Sequence, residues 1–435
     1  MEKTLLFFRL HHQIIRMFLW QENQFENLTL PSKLFLSIRR LSRMSLTSNT
    51  MKTFPLFLLA LLGLLSPFFS CQAKEGDPVP DPGTSQKFAT KTEKMNIKVD
   101  TLHTGFQNPW GMTWINAETL LVTEKKGELL IFKKDKFSGQ KVTGLPAFYT
   151  SGQAGLLDIT THPNYAQNGW IYIAYAKPVG DGGATAIARF KLTGNAVASF
   201  EELIVTSPEW KGGTHYGSRI VFDNQNFLYF SNGERGSQDN AQNLKNSHGK
   251  IHRIHDDGRI PADNPFVSTA GAIPSIWTYG NRNPQGLFFD KASNRLWEVE
   301  HGPRGGDELN LLEKGKNYGW PVITYGINYN GTPITDITEK EGMEQPVKYW
   351  TPSIATCGMT LVTSDRYPAW KGNFLVAALA GTHIARVEMN GTKPVGEEKL
   401  LPGIGRVRQV AQSPDGYVYA ITEGTGLLIK LVPSN

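Results

Sequence analysis

Four short segments concentrate the residue types that carry chemistry. They are Gly212-Gly-Thr-His-Tyr-Gly-Ser218, Tyr279-Gly-Asn-Arg-Asn-Pro-Gln-Gly286, Glu300-His-Gly-Pro-Arg-Gly-Gly-Asp-Glu-Leu-Asn310 and the pair Arg406-Val-Arg408. His215 stands in a glycine-rich segment just ahead of an apolar run, where an imidazole could act as a general base near neutral pH. It could equally be a loop histidine bonded to a carbonyl. Arg282 and Asn283, with Gln285 close behind, could set a planar cation and amides against an oxyanion or carboxylate. An arginine in such a loop also serves as a salt bridge between neighbouring elements. After Glu300, the residues Gly302, Pro303, Gly305 and Gly306 let the backbone turn its carbonyls inward, and Asp307 and Glu308 add charge. Hard cations such as Ca²⁺ take oxygen donors of this kind, although the spacing is not that of an EF-hand. Arg406 and Arg408 alternate on one strand and share a face, which suits a polycarboxylate ligand or a solvated edge pair.

Something must hold these segments together, and the rest of the chain supplies it as a repeat. Across 435 residues, six copies recur of two short apolar runs around a turn rich in Pro, Asp, Asn or Gly. They begin at Trp110, Gly155, Ser218, Gln285, Gly358 and Val407, and no long helical periodicity competes with them. A spacing of this order fits one four-stranded blade per copy. The expected fold is all-β, a six-bladed β-propeller of four-stranded antiparallel blades over residues 96–435. In such a ring, loops at one end of the central channel build the binding site, and the four segments fall at blade edges.

The net charge of +6 would suggest nucleic acid if it lay on the folded part. It does not, because residues 1–71 carry eight basic and three acidic side chains, and the remainder is nearly neutral. From Met51 the chain reads as a secretory signal peptide over residues 51–71, with an apolar run from Leu56 to Leu65 ending in Phe-Phe-Ser-Cys71. That ending is lipobox-like, so an exported, periplasmic or cell-envelope protein lipid-anchored through Cys71 is expected. Residues 1–50 read as an upstream extension, and residues 72–95 as a flexible tether. With only two cysteines, Cys71 and Cys357, no disulfide framework is available.

The strings Tyr279–Gly286, Glu300–Asn310 and Gly315-Lys-Asn-Tyr-Gly-Trp-Pro321 resemble, in kind and in order, those of the soluble quinoprotein sugar dehydrogenases, the glucose/sorbosone dehydrogenase family, and most closely its aldose sugar dehydrogenase branch. The resemblance covers nearly all of residues 96–432. It implies pyrroloquinoline quinone (PQQ) and Ca²⁺ as cofactors and the oxidation of an aldose at its anomeric carbon to a lactone. His215 would then be the general base, and Arg282 and Asn283 the pair that stabilises the reduced cofactor. Gln153, His301, Asp307, Arg406 and Arg408 would contact substrate or cofactor. The Gly302 and Pro303 carbonyls would ligate the cofactor-bridging calcium, with Glu308 and the Tyr318 carbonyl at a second, structural calcium. One departure is Ala380, where the family usually carries a cofactor-binding lysine; a weaker one is Ser353, where some members have threonine. On this reading Ala380 lies on a strand with His383 on its opposite face. Two rivals remain at this stage: a metal-dependent propeller lactonase and a non-catalytic ligand-binding propeller. The sugar, the electron acceptor and the oligomeric state are not legible.

Overall fold

The structure, a computed structural model, describes residues 91–434. The signal peptide, Cys71 and most of the tether lie outside the described residues. Six four-stranded antiparallel sheets form the domain. Five are built from consecutive strands: β2 (Pro109–Asn116) to β5 (Lys136–Lys141), β6 (Leu156–Thr161) to β9 (Ala196–Val205), β10 (Ile220–Phe222) to β13 (Ile276–Tyr279), β14 (Pro284–Asp290) to β17 (Lys348–Trp350), and β18 (Thr356–Leu361) to β21 (Lys393–Leu400). The sixth sheet orders β22 (Arg406–Gln412), β23 (Val418–Glu423), β24 (Leu428–Ser434) and then β1 (Asn96–His103). Closure of the ring is therefore done by the N-terminal strand, in register from Asn96 opposite Ser434. The first strand of each blade touches that of the next, β2 to β6 to β10 to β14 to β18 to β22 and back to β2. The all-β, six-bladed propeller expected from the repeats is the fold found.

Each of the six sequence repeats is the inner hairpin of one blade. An inner strand has a blade on either side, so both of its faces are buried and its residues go alternately to the two neighbours. β3 (Thr119–Glu124) shows this directly. Leu120 and Val122 pack with Tyr419 and Ile421 of the sixth blade, whereas Leu121 packs with Leu156 and Ile173 of the second. β19 (Phe374–Ala378) does the same, with Phe374 and Val376 against Trp297 and Leu375 against Val410. An apolar cluster of this kind fills each of the six seams between blades. The result is a stiff ring whose end loops are positioned from two sides at once. Residues 91–95, assigned to the tether, already belong to the folded part: Thr92 N donates to Met95 O (3.2 Å) and Glu93 N to Glu398 (2.6 Å).

Candidate functional site

All four chemistry-bearing segments come to the same end of the ring. His215 precedes β10, Arg282 and Asn283 precede β14, and Gln153 precedes β6. The 301–306 loop joins β15 (Arg295–Glu300) to β16 (Asp307–Leu312), and Arg406 and Arg408 open β22. Strand direction alone brings them together, since every inner strand starts at this end and every second strand returns to it.

His215 is buried and holds a left-handed backbone, φ 51°, which a non-glycine residue adopts only when its surroundings enforce it. Arg235 does the enforcing. Its guanidinium is fully buried, donates to the His215 carbonyl and to Thr185 Oγ1 (2.7 Å), and lies over the Tyr216 ring at 3.8 Å. Gly233 lets the exit of β11 (Leu228–Asn232) pass under the same carbonyl, because a Cβ there would stand 2.3 Å from His215 O. The His215 Nδ1 lies 2.8 Å from Glu234 Oε2, itself almost fully buried. A carboxylate only accepts, so Nδ1 carries the proton and Nε2 is left as a lone-pair base. Burial pushes the imidazole below its ordinary value, and the Arg282 and Arg235 charges push the same way against Glu234. His215 is thus neutral at neutral pH. Activity that needs this base falls on the acid side only below about pH 6.5, the ordinary imidazole value, because protonation waits for the lowered pKa. A pH–rate profile checks this, with an acid midpoint above 6.5 as the contrary result. The loop that carries Glu234, between β11 and β12 (Lys250–Ile254), is in turn fixed by Lys250, whose buried ammonium donates to the carbonyls of Asn240 (2.8 Å), Ala241 (3.0 Å) and His248 (2.6 Å). Nothing in the sequence marked Glu234, Arg235 or Lys250, because their roles rest on contacts across a loop rather than on a motif.

Arg282 reaches across to the 301–306 loop, where its Nη1 donates to the carbonyls of His301 (3.0 Å) and Gly302 (2.9 Å) while its buried Nε has no partner. Asn283 is completely buried; its Oδ1 accepts from Gly217 N (3.2 Å) and its Nδ2 points to Gln153 Oε1 at 3.5 Å. Both backbone amides, of Arg282 and Asn283, donate to Glu300. Asp307 is the brace of the loop, accepting from Gly302 N (2.8 Å) and Thr356 N (3.3 Å). The Pro303 carbonyl accepts from Ser353 Oγ at 3.2 Å. His301 keeps an unpartnered, buried Nε2, and burial together with the Arg408 and Arg282 charges holds it neutral.

Below this loop three carboxylates crowd together. Glu300 stands opposite Glu308 across β15 and β16, and Glu298 opposite Asn310. Burial raises all three, with mutual repulsion adding to it; Glu308 is pushed up to about 7. Glu298 Oε1 is buried and unpartnered, and Glu300, Glu308, Gly302 and Tyr318 line one small cavity of about 10 Å³, room for about one water-sized species. Among the described residues no three His, Cys, Asp or Glu side chains converge on one point as ligands. A cation here would take carbonyls as well as carboxylates. The Glu300 and Glu308 carboxylates offer this cavity oxygen donors of the kind a hard cation such as calcium takes, and a cation would relieve their repulsion, while Arg282 and His301 line its other side.

A family model described as Glucose / Sorbosone dehydrogenase matches residues 106–430. The chain belongs to the glucose/sorbosone dehydrogenase family. It is 38% identical over 347 residues to the aldose sugar dehydrogenase YliI of Escherichia coli K12, covering 78% of this chain and 94% of that protein. It is 26% identical to quinoprotein glucose dehydrogenase B of Acinetobacter calcoaceticus, covering 80% and 90%. Among solved structures, the PQQ-bound form of the aldose sugar dehydrogenase of Streptomyces coelicolor superposes with a TM-score of 0.66 at 27% identity, covering 80% of this chain and all of that one.

As a glucose/sorbosone dehydrogenase family member, the chain shows two departures from the expectations set by its sequence. Ala380 is not on a strand with His383. β19 ends at Ala378 and β20 (His383–Asn390) begins at His383, so Ala380 sits exposed in the connecting turn, at the same end of the ring as His215. Gly381 and Thr382 break the alternation on which the strand reading relied; Thr382 has φ 50°. Arg406 and Arg408 also differ from a plain alternating pair. The register shifts between Val407 and Gln409, so Arg408 occupies a β-bulge that turns it into the channel. There it is buried, donating to Gln285 Oε1 (2.9 Å) and to Glu423 (2.7 Å), while Arg406 stays exposed with Glu423 at 3.5 Å. Glu423 therefore ties the two guanidiniums together. Lys125, just after β3, joins this group: its Nζ donates to Gly152 O (2.7 Å), beside Gln153, and it lies within the fields of Glu423 and Arg408. No motif marks either Glu423 or Lys125 in the sequence.

Proposed function

We propose that this protein oxidises aldose sugars at the anomeric carbon to lactones, using pyrroloquinoline quinone and Ca²⁺. The observation that carries the reading is the His215–Glu234 pair, a neutral imidazole with its Nε2 free, in a mouth ringed by Arg282, Arg408 and Arg406. His215 takes the proton of the anomeric hydroxyl, Glu234 fixes the tautomer and stabilises the imidazolium that forms, and C1 gives up its hydrogen as hydride. When bound, the quinone supplies the two-electron acceptor for that hydride and the calcium ion a Lewis acid that sharpens it. Arg406 and Arg408 would hold carboxylates of the cofactor, Arg282 and Asn283 would face its oxyanion, and Gln153 the substrate. The Gly302 and Pro303 carbonyls and His301 and Asp307 belong to the loop that would seat the metal and cofactor edge. Glu308 and Tyr318 border the electron-rich cavity proposed as the second calcium site. The relatives named above, two aldose sugar dehydrogenases and a quinoprotein glucose dehydrogenase, support sugar oxidation.

The test is to titrate the purified apo chain with the quinone and Ca²⁺ while following aldose-dependent reduction of a dye. Saturable, calcium-dependent turnover is expected; no turnover with any aldose at saturating quinone would end the reading. Export with a lipid anchor at Cys71 is a separate proposal, resting on the Phe-Phe-Ser-Cys71 sequence alone. Wild-type protein should fractionate with membranes and Cys71→Ala in the soluble fraction, equal solubility being the contrary result.

A further inference from the structure

At the end of the ring opposite His215, a cavity of about 360 Å³ opens in the seam between the third and fourth blades. Its position follows from strand direction: Asp223 and Gln225 lie in the β10–β11 turn, and Asn294 and Arg295 close the β14–β15 turn, at the far ends of strands whose near ends carry His215 and Arg282. The proposed catalytic machinery therefore does not use it. The volume lies at the lower end of small-molecule sites, about 300–1,000 Å³, and suits a ligand the size of one sugar ring.

The floor is apolar and aromatic, with Tyr229 and Trp277 edge to face at 5.4 Å, and Phe289 and Leu296 beside them. Around it stand polar groups. Asp223 is buried, its Oδ1 accepts from Gln225 N (2.8 Å) and Phe227 N (2.9 Å), and the Tyr229 hydroxyl stands beside the same carboxylate. Arg253 is 6% exposed, stacked over Phe227 at 3.7 Å and bonded through Nη1 to Asp263 (2.9 Å), but its buried Nε has no partner. A guanidinium N–H left bare in this way costs stability unless something accepts from it. At the rim, the Gln225, Arg295 and Glu313 side chains are exposed. The lining holds two carboxylates, Asp223 and Glu313, against two guanidiniums, Arg253 and Arg295, so it favours no net charge on its ligand.

An aromatic floor for C–H groups, with carboxylate, amide and guanidinium around it for vicinal hydroxyls, matches a neutral pyranose ring and neither an anion nor a cation. We propose that this cavity is a second, non-catalytic carbohydrate site that takes one pyranose unit of a saccharide. The proposal stands independently of the sugar oxidation proposed at the other end of the ring.

Methyl glycosides separate the two sites, because with no free anomeric hydroxyl they cannot be oxidised at C1. Saturation-transfer NMR of the full chain with methyl glucoside, methyl galactoside, methyl mannoside and methyl maltotrioside should show transfer from protein to the ring C–H protons of at least one of them. Trp277→Leu should cut that transfer about fivefold or more, and so should Gln225→Ala, an exposed position whose change leaves the fold intact. His215→Ala should leave it unchanged. No transfer from wild type to any of the four sugars overturns the proposal. So does transfer lost with His215→Ala yet kept in Gln225→Ala and Trp277→Leu, which would assign the binding to the catalytic end.

Discussion

His215→Ala lowers maximal turnover by about 10²- to 10⁴-fold, the contribution of a positioned general base, while quinone affinity changes little. The structure sharpens this expectation. The His215 side chain is buried but bonds to nothing except Glu234, so removing it frees no buried charge other than that of a carboxylate that also accepts from Gly236 N. The fold should survive, because the loop is held through the His215 backbone carbonyl and Arg235, which the substitution leaves in place. Stopped-flow reduction of the bound cofactor by sugar isolates the step, and a loss of less than tenfold removes His215 from the role of base. Glu234→Gln gives a second readout that a merely structural residue would not move. The Glu234 hydrogen bond and charge both raise the His215 pKa, so their loss lowers it further. The acid limb of the pH–rate profile then moves to lower pH while the plateau drops, since a weaker base accepts the proton less readily. An acid limb that moves up, or stays in place with full activity, contradicts the pairing.

How much of this was legible beforehand follows from where each residue sits in a blade. The inner hairpins could be read because both faces are buried and the turns between them are tight: β19 is apolar throughout, β7 (Ile171–Val179) is apolar from Ile171 to Ala176, and β3 carries Leu120, Leu121 and Val122 at its centre. The outer strands could not. β5, Lys136–Lys141, is exposed over most of its length, and β21, Lys393–Leu400, alternates too weakly to announce itself. Closure by β1 was equally hidden, because the partner of Asn96 is Ser434 at the other end of the chain. The site divides in the same way. His215, Arg282 and Asn283 lie in glycine-rich blade entries with an unusual local composition, so their types drew notice. Glu234, Arg235, Lys125 and Glu423 come from strand exits of ordinary composition, and they gain meaning only when another loop folds across them. Ala380 shows the opposite error, in which a resemblance at the level of a string was extended into a strand that the turn at Gly381 and Thr382 interrupts.

Ala380→Lys tightens pyrroloquinoline quinone binding by about ten- to a hundredfold, the equivalent of one charge-assisted hydrogen bond. The cofactor carries three carboxylates, and besides Arg282, which is bonded to the 301–306 loop, the cations described at the mouth are Arg406, Arg408 and Lys125, the two arginines already tied to Glu423. Ala380 is exposed in the β19–β20 turn, with its amide bonded to Ile354 O at 2.9 Å, so a longer side chain there reaches outward without disturbing the blade. His383 does not compensate, and the reason is its charge rather than its face. Its Nδ1 lies 2.6 Å from Gly381 O, its Nε2 is buried without a partner, and burial lowers its pKa, so it is neutral where a cation is wanted. Lys125 is the one serious substitute, and burial is what limits it: the same desolvation that lowers its pKa penalises its charge, and its ammonium is already bonded to Gly152 O. Calorimetric titrations of wild type, Ala380→Lys and Lys125→Ala at matched calcium and ionic strength decide between them. If Lys125→Ala loses most of the affinity while Ala380→Lys gains none, Lys125 has taken the place of the family's lysine. If Ala380→Lys alone shifts the dissociation constant, mainly by slowing release, the wild-type protein is a loose binder that gave up one of its contacts, and it should load with quinone only when the cofactor is abundant.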